Sequence, residues 1–357
     1  MLTNVTGFDS IIGQRLPIRL LQTFHARGTI PHALLFTGMP GIGKRTVART
    51  FAMALNCRGS GDLPPGQAEA TEPRATEGKP CGVCGSCRRI EAGNYPDVMA
   101  IEPQGGILRI DQIRRLITTL SMKPFNDGYR VAVIADAQTL NPEASNALLK
   151  VLEEPPDATI LILTAPQQSD LLSTIVSRCR HMRFSPLPVE ALAQYLTKHH
   201  HIDEASARAV AELSGGSIAE ALKWAANAWQ SQRDWLVRAG GLDAPAQGRT
   251  PAAALAFAGA LAARKDRIQE DLALLKGWIR DLWVLPHASR LIANRDCVAQ
   301  MGRMRAQINP DRLRFLWETV EKAQKDIAAN GNLRLTLEVM ALRMAGLTCR
   351  TTTDNRA

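Results

Sequence analysis

A glycine-rich loop between an apolar run and a helical pattern constrains the fold of this chain most strongly. Residues 38–44 read Gly-Met-Pro-Gly-Ile-Gly-Lys, which is the spacing G-x-x-x-x-G-K. The loop follows the apolar run Ala33–Thr37 and precedes residues 44–56, which are rich in good helix formers. In this context, backbone N–H groups at a helix N-terminus can surround phosphate oxygens, and Lys44 adds a positive charge. The sequence therefore predicts a phosphate-binding loop in an α/β fold.

The first half of the chain alternates between short apolar runs and helical patterns. Three further runs are rich in β-branched residues and are typical of strands: 98–101, 131–135 and 159–164. Helical patterns at 110–120 and 142–152 separate them. Such alternation predicts a mostly parallel sheet that helices cover on both faces.

Breaks in composition divide the chain into three predicted domains. The proline-bearing stretch 185–188 ends the first, an α/β phosphate-loop domain over residues 1–186, and the pattern is helical from there on. We expect a small helical domain over residues 187–239 and a C-terminal helical domain over residues 252–350. Residues 59–80 consist mainly of Gly, Pro, Ala, Glu and Thr, which predicts a disordered surface insert.

Composition limits the classes of protein to which this chain can belong. Hydrophobic residues make up 45% and charged residues 22% of the sequence, as in soluble globular proteins. We find no apolar run near the roughly 20 residues that a membrane helix needs, and no secretory signal at the start, so we expect a cytoplasmic protein. The net charge of +9 is divided almost evenly between the two halves. Charge alone therefore favours a nucleic-acid partner no more than it favours an ordinary basic protein.

Four cysteines have the spacing of a structural zinc site. Cys81, Cys84 and Cys87 form C-x-x-C-x-x-C, and Cys57 ends the helical pattern that precedes them. Four thiolates close a tetrahedral zinc shell with no open position. Free thiols are the alternative, whereas nothing nearby suggests the redox chemistry of an iron–sulfur cluster. We predict a zinc module over residues 57–87, inserted in the first domain.

The residues after the loop lysine depart from those of a magnesium-dependent ATPase. Such enzymes place Ser or Thr there to ligate magnesium, but this chain has Arg45, and Thr46 comes one residue late. A helix turns about 100° per residue, so Thr46 cannot take the place of the missing hydroxyl. The run 131–134 leads to one acid, Asp136, rather than a pair. We expect ATP to be bound without fast hydrolysis, at a site made of Gly38, Gly41, Gly43, Lys44, Arg45 and Thr46.

Several motifs stand in the order seen in bacterial clamp-loader subunits of the AAA+ class, which this chain resembles. They are the phosphate loop, the cysteine module, Asn-Ala-Leu-Leu-Lys at 146–150, Leu-Glu-Glu-Pro-Pro at 152–156, and Ser177-Arg178-Cys179. The resemblance implies an AAA+ phosphate-loop domain, a helical lid over 187–239 and a helical collar for oligomerisation over 252–350. It implies a hetero-pentamer with gamma/tau and delta subunits that loads the sliding clamp onto primed DNA.

The same resemblance assigns a role to Arg178. In the family, the arginine of this motif projects into the ATP site of the neighbouring subunit. A guanidinium is always charged and makes forked contacts to phosphate, so it can stabilise charge on the γ-phosphoryl group in trans. Arg178 is therefore the leading catalytic candidate.

Departures from the family pattern favour one subunit type. Gamma/tau hydrolyses ATP, whereas delta-prime often has a damaged nucleotide site. Aligned on residues 146–150, Ala135 and Asp136 fall on the Asp-Glu pair of gamma/tau, and Ala219 falls on the second sensor arginine. Together with Arg45, these departures favour a delta-prime type, a DNA polymerase III holoenzyme component with weak or no ATPase of its own. The alternatives are a gamma/tau-type ATPase that uses Thr46 and Asp136, and a zinc-dependent nucleic-acid-binding protein.

Overall fold

The chain folds into two compact units. The computed structural model describes residues 7–59, 78–125, 128–226, 229–243, 250–288, 291–329 and 331–347. The first unit comprises Met1–Leu192 and Gly215–Glu220, and the second comprises Ala193–Ser214 and Ala221–Ala357. Among the helices of the described residues, none is both long and apolar enough to cross a lipid bilayer.

The first unit alternates strands and helices. Its strands are β1 (Ala33–Thr37), β2 (Val98–Ile101), β3 (Arg130–Ile134), β4 (Thr159–Ala165) and β5 (Arg180–Arg183). Its helices are α1 (Arg15–Arg27), α2 (Lys44–Leu55), α3 (Gly85–Glu91), α4 (Ile110–Ser121), α5 (Pro142–Glu153) and α6 (Ser173–Val176). Short 3-10 helices lie at Phe8–Ser10, Ala137–Thr139 and Gln168–Asp170.

Within the described residues, the five strands form a parallel sheet of order β2-β3-β4-β1-β5. Strand β1 lies between β4 and β5, with Thr37 opposite both Ala165 and Arg183. Because all strands run the same way, the segments that follow them meet at one edge of the sheet, as in other open α/β folds. The loop at 38–44 follows β1 and so lies at this carboxyl edge.

Successive residues of β1 point into different hydrophobic clusters. Leu34 and Phe36 face the cluster that includes Val47 and Phe51 of α2. Leu35 faces the other cluster, to which α4 and α5 contribute Ile113, Leu116, Leu148 and Leu152. Helices therefore cover both faces of the sheet, and each strand side chain of β1 is buried.

The second unit is helical. Its helices are α8 (Glu204–Leu213), α10 (Trp229–Ala239), α11 (Pro251–Ala262), α12 (Ile268–Val284), α13 (Val298–Arg305), α14 (Pro310–Ala328) and α15 (Leu333–Met344). Helices α7 (Val189–His200) and α9 (Ile218–Ala226) each lie partly in this unit and partly in the first. Helix α12 packs against α10 and α14, and α15 packs against α11 and α14. Trp278 of α12 is almost fully buried in this unit.

The predicted α/β fold with a parallel sheet is confirmed. The strand and the helix that flank the phosphate loop lie where the sequence predicts them, within one residue at either end. The same holds for the strands predicted at 98–101, 131–135 and 159–164. Strand β5 was not predicted from the sequence, because its residues Arg-His-Met-Arg include one buried side chain, Met182. Residues 60–77 of the predicted insert lie outside the described residues, and the division into three domains stays a prediction.

The core contact between β1 and the segment after β5 provides a stability prediction. Phe36 is fully buried, and its ring lies 5.0 Å from that of Phe184. Phe36→Ala should lower the free energy of unfolding by about 3–5 kcal/mol, because a buried ring is lost and a cavity is left. Chemical denaturation measures this change. Phe125→Ala, at a ring that is 79% exposed, is the control and should change stability by less than about 0.5 kcal/mol.

Candidate nucleotide site and metal centre

The phosphate loop is fixed at its first residue by the carboxyl edge of the sheet. The N–H of Gly38 donates to the carbonyls of Ala165 and Pro166, at 3.2 and 3.0 Å. Gly38, Gly41 and Gly43 have φ values of 147°, 76° and 97°, in the region that side chains other than glycine rarely adopt. A Cβ on Gly38 would also lie 2.7 Å from the carbonyl oxygen of Phe184. Glycine at these three positions is therefore a requirement of the turn.

Lys44 points back into the loop. It is only 8% exposed, and its Nζ donates to the carbonyl oxygens of Gly38 and, at 3.0 Å, Met39. Burial lowers the pKa of the Lys44 ammonium, and the Asp136 carboxylate opposes that shift. Open space lies beside Gly43, where an added Cβ would meet no atom within 4 Å. The loop therefore combines a buried cation with open space beside Gly43.

Arg45 pairs with an acid at the end of a distant strand. Its guanidinium contacts the carboxylate of Glu102, the first residue after β2, and both side chains are about half exposed. Thr46 is partly buried on the next position of α2. The hydroxyl that magnesium would need directly after the lysine is thus replaced by a paired guanidinium.

The segment Gly215–Glu220 lies against the phosphate loop. The N–H of Ala219 donates to the carbonyl oxygen of Gly41 at 3.1 Å. A Cβ on Gly41 would lie 2.3 Å from Oγ of Ser217 and 2.8 Å from Cβ of Ala219. Residue 219 is thus beside the loop, and its side chain there is a methyl group.

Gln14, which no pattern in the sequence singles out, joins the loop to the segment after β5. Its Nε2 donates to the carbonyls of Ser185 (2.7 Å) and Ile42 (3.4 Å), and its Oε1 accepts from the Ser185 N–H at 3.2 Å. Gln14 is 8% exposed and has a φ of 52°. These contacts span up to 171 residues of sequence, so no local pattern around Gln14 reveals them.

The four predicted cysteines form one cluster. The sulfur atoms of Cys57, Cys81, Cys84 and Cys87 all lie within 4.8 Å of one another. The N–H of Cys81 donates to Sγ of Cys57, and the N–H of Cys84 donates to Sγ of Cys81, each at 3.3 Å. Cys84 also caps α3 by accepting from the N–H of Cys87. Two cysteines are fully buried and two are half-buried.

The chemistry of this cluster fits a bound cation. Contact with the Cys57 and Cys87 thiols lowers the pKa of Cys84. Contact with Cys84 raises the pKa of Cys57, and contacts with Cys57 and Cys84 raise the pKa of Cys87. Four sulfur atoms within 4.8 Å of one another are a donor set that a divalent cation can hold as thiolates. The donor set is compatible with a metal site.

Arg178 lies at the other edge of the sheet from the phosphate loop. It follows α6 and precedes β5, whose first residue Arg180 is opposite Leu34 of β1. Its Nη2 donates to Oε1 of Glu153 at 2.6 Å, and its Nη1 donates to the Thr174 carbonyl at 2.9 Å. The side chain is 34% exposed. Burial raises the pKa of the adjacent Cys179 to about 12, so that thiol stays protonated.

Comparison with known proteins identifies the relationship of the first unit. The family model described as "DNA polymerase III, delta subunit" matches residues 13–188. Residues 13–188 of this chain are therefore similar to that family of DNA polymerase III subunits. The matched range contains all the predicted nucleotide-binding, metal and arginine residues.

Individual relatives include both subunit types. The delta' subunit of Pseudomonas aeruginosa is 35% identical over 52% of this chain and 53% of its own length. The delta' subunit of Bacillus subtilis is 30% identical over 59% of this chain and 58% of its own. The tau subunit of Escherichia coli is 31% identical over 60% of this chain. This chain spans only 32% of that tau subunit and a little over half of each delta' subunit.

Proposed function

We propose that this chain is the delta-prime subunit of a DNA polymerase III clamp loader. In this role it has a degenerate ATP site of its own and donates Arg178 to the ATP site of a neighbouring subunit. The position of Arg178, at the sheet edge opposite its own phosphate loop, is the observation that carries this proposal.

The sheet itself separates Arg178 from the phosphate loop of the same chain. Thr37, the last residue before the loop, is opposite Arg183 at the end of β5, whereas Arg178 precedes the start of β5. The strand between the two edges is on the order of 10 Å long, at ~3.3 Å per residue. A side chain anchored there and held by Glu153 does not reach across the domain, so a phosphate group that Arg178 contacts would belong to another subunit.

The residues of the phosphate loop support a weak or absent ATPase activity. Fast hydrolysis needs a magnesium ligand directly after the lysine and acids that hold the metal and orient water. In this chain, Arg45 pairs with Glu102, Ala135 precedes the single acid Asp136, and a methyl group lies at position 219 beside the loop. Each feature removes a group that stabilises the transferring phosphate or its metal.

We assign the cysteine cluster to a structural zinc ion. Cys57, Cys81, Cys84 and Cys87 would supply the four sulfur ligands, which leaves no open position for catalysis. Zinc binding would join the end of α2 to α3, since Cys57 follows α2 and Cys87 lies within α3. Its contribution is therefore to the stability of the first unit.

The family relationship also supports an assignment of partners. We place this chain in a cytoplasmic hetero-pentamer with gamma/tau and delta subunits, which loads the sliding clamp onto primed DNA. The helices of residues 252–350 would serve as the collar, and residues 187–239 as the lid.

Turnover by the isolated chain tests this assignment. Purified alone and supplied with ATP, magnesium and primed DNA, the chain should hydrolyse no ATP above background, because its own site lacks the metal ligand. A coupled phosphate-release assay measures the rate, and a gamma/tau subunit assayed in parallel is the positive control. Fast ATP hydrolysis by the single chain would instead support the gamma/tau-type function, in which Thr46 and Asp136 take part in hydrolysis.

A further inference from the structure

The phosphate loop contains groups that can bind phosphate, but it lacks the hydroxyl group that would bind magnesium directly after Lys44. We propose that Arg45 takes the place of the magnesium ion, so that the loop binds a nucleoside diphosphate in its metal-free form. The inference goes beyond the proposed function, because donation of Arg178 does not depend on what occupies this chain's own loop.

Arg45 and its partner Glu102 lie at the carboxyl edge of the sheet. The N–H of Ala135, after β3, donates to the carbonyl of Ile101 at the end of β2, at 2.9 Å. Glu102 and Asp136 therefore leave the sheet side by side at its carboxyl edge. The guanidinium of Arg45 contacts Glu102, so a positive charge stands in the corner where acids would otherwise face a metal.

Two cations of the protein lie near the acids of this edge. Arg45 is paired with Glu102, and the Asp136 carboxylate raises the pKa of Lys44 against the effect of burial. A magnesium ion would have to compete with these cations and would find no hydroxyl ligand on Arg45. Like charges close together repel each other, so divalent cations are disfavoured at this site.

A phosphate group would allow Arg45 and Lys44 to exchange their present partners for phosphate oxygens. The Arg45–Glu102 pair is about half exposed, and such pairs are held weakly against water. A guanidinium makes forked hydrogen bonds to phosphate as readily as to carboxylate. Arg45 can therefore leave Glu102 for a terminal phosphate, while Lys44 exchanges the carbonyls of Gly38 and Met39 for the same group.

The length of the ligand follows from the same charges. Two cations from the protein replace the one divalent ion that normally accompanies a nucleotide. A triphosphate chelates magnesium more strongly than a diphosphate does. It therefore loses more free energy of chelation when it enters a site that excludes the metal. The site should therefore favour a free diphosphate over a magnesium-bound triphosphate.

Calorimetric titration of the purified full-length chain with ADP tests the proposal. In excess EDTA, ADP should bind, and replacing EDTA by excess magnesium should leave the affinity unchanged or lower it. Arg45→Thr should weaken binding in EDTA about tenfold or more, since a charge-assisted contact to phosphate is lost. Arg114→Thr, at an exposed arginine on α4, is the matched control and should not change the affinity.

A second variant keeps the test decisive if Arg45→Thr folds poorly. Glu102→Gln removes the competing carboxylate and should strengthen ADP binding in EDTA several-fold, with the thermal melting temperature recorded to confirm folding. The proposal is overturned if ADP fails to bind in EDTA, if magnesium strengthens binding tenfold, or if both substitutions leave the affinity unchanged. Because only the single chain is titrated, each of these results is separate from the ATPase of an assembled clamp loader.

Discussion

Replacing Arg178 with alanine should abolish hydrolysis at the one ATP site that this chain completes, while the clamp loader still assembles. A donated arginine accounts for about 10³- to 10⁵-fold in rate at a single phosphoryl-transfer site. In the proposed assembly, the other ATP sites would keep arginines of their own, so steady-state ATPase should fall at least by the share of that one site. Single-turnover hydrolysis by the reconstituted complex measures the loss directly.

Two variants separate the guanidinium from a general effect of charge or folding. Arg178→Lys keeps the charge without the forked geometry and should restore only a small part of the rate. Arg180→Ala, at an exposed arginine two residues on, should leave the rate unchanged. The salt bridge to Glu153 is partly exposed and is worth about 0–1 kcal/mol, so Arg178→Ala should fold normally. Undiminished single-turnover hydrolysis would remove Arg178 from the mechanism.

Loss of one cysteine from the cluster should produce the largest change in stability. In Cys84→Ser, a fully buried sulfur atom is lost from the proposed zinc site, which would join α2 to α3. Structural zinc sites bind with an apparent free energy of about 10–16 kcal/mol, and folding depends on that energy. We expect zinc content to fall from one ion per chain to well below that, with a strong fall in melting temperature.

The control for this experiment is a cysteine outside the cluster. Cys297→Ser, in the second unit, should keep one zinc ion per chain and the parent melting temperature. Metal content is measured by inductively coupled plasma mass spectrometry on dialysed protein, and unfolding by circular dichroism. If Cys84→Ser retained both its zinc and its stability, the cluster would not be a zinc site.

Some strands of the sheet could be predicted from the sequence, and β5 could not. Strand β1 is a run of five buried residues, and β4 is a run of seven, so hydrophobicity alone indicated both. Strand β5 shows three exposed charged or polar side chains around Met182. An edge strand has only one neighbour and commonly carries charges that discourage further pairing. Its strand structure follows from pairing with β1, which no local pattern of Arg180–Arg183 indicates.

The candidate sites divide in the same way. The glycine spacing and the Cys-x-x-Cys-x-x-Cys spacing are local, because a turn with positive φ angles and a shared sulfur cluster need particular residues at fixed separations. Sequence alone therefore determined the phosphate loop and the four cysteines. Three other features depend on strand order. They are the pairing of Arg45 with Glu102, the hydrogen bonds of Gln14 to the loop, and the position of Arg178 at the opposite edge of the sheet. Strand order brings together segments that are 25 to 171 residues apart, and only the tertiary structure decides it.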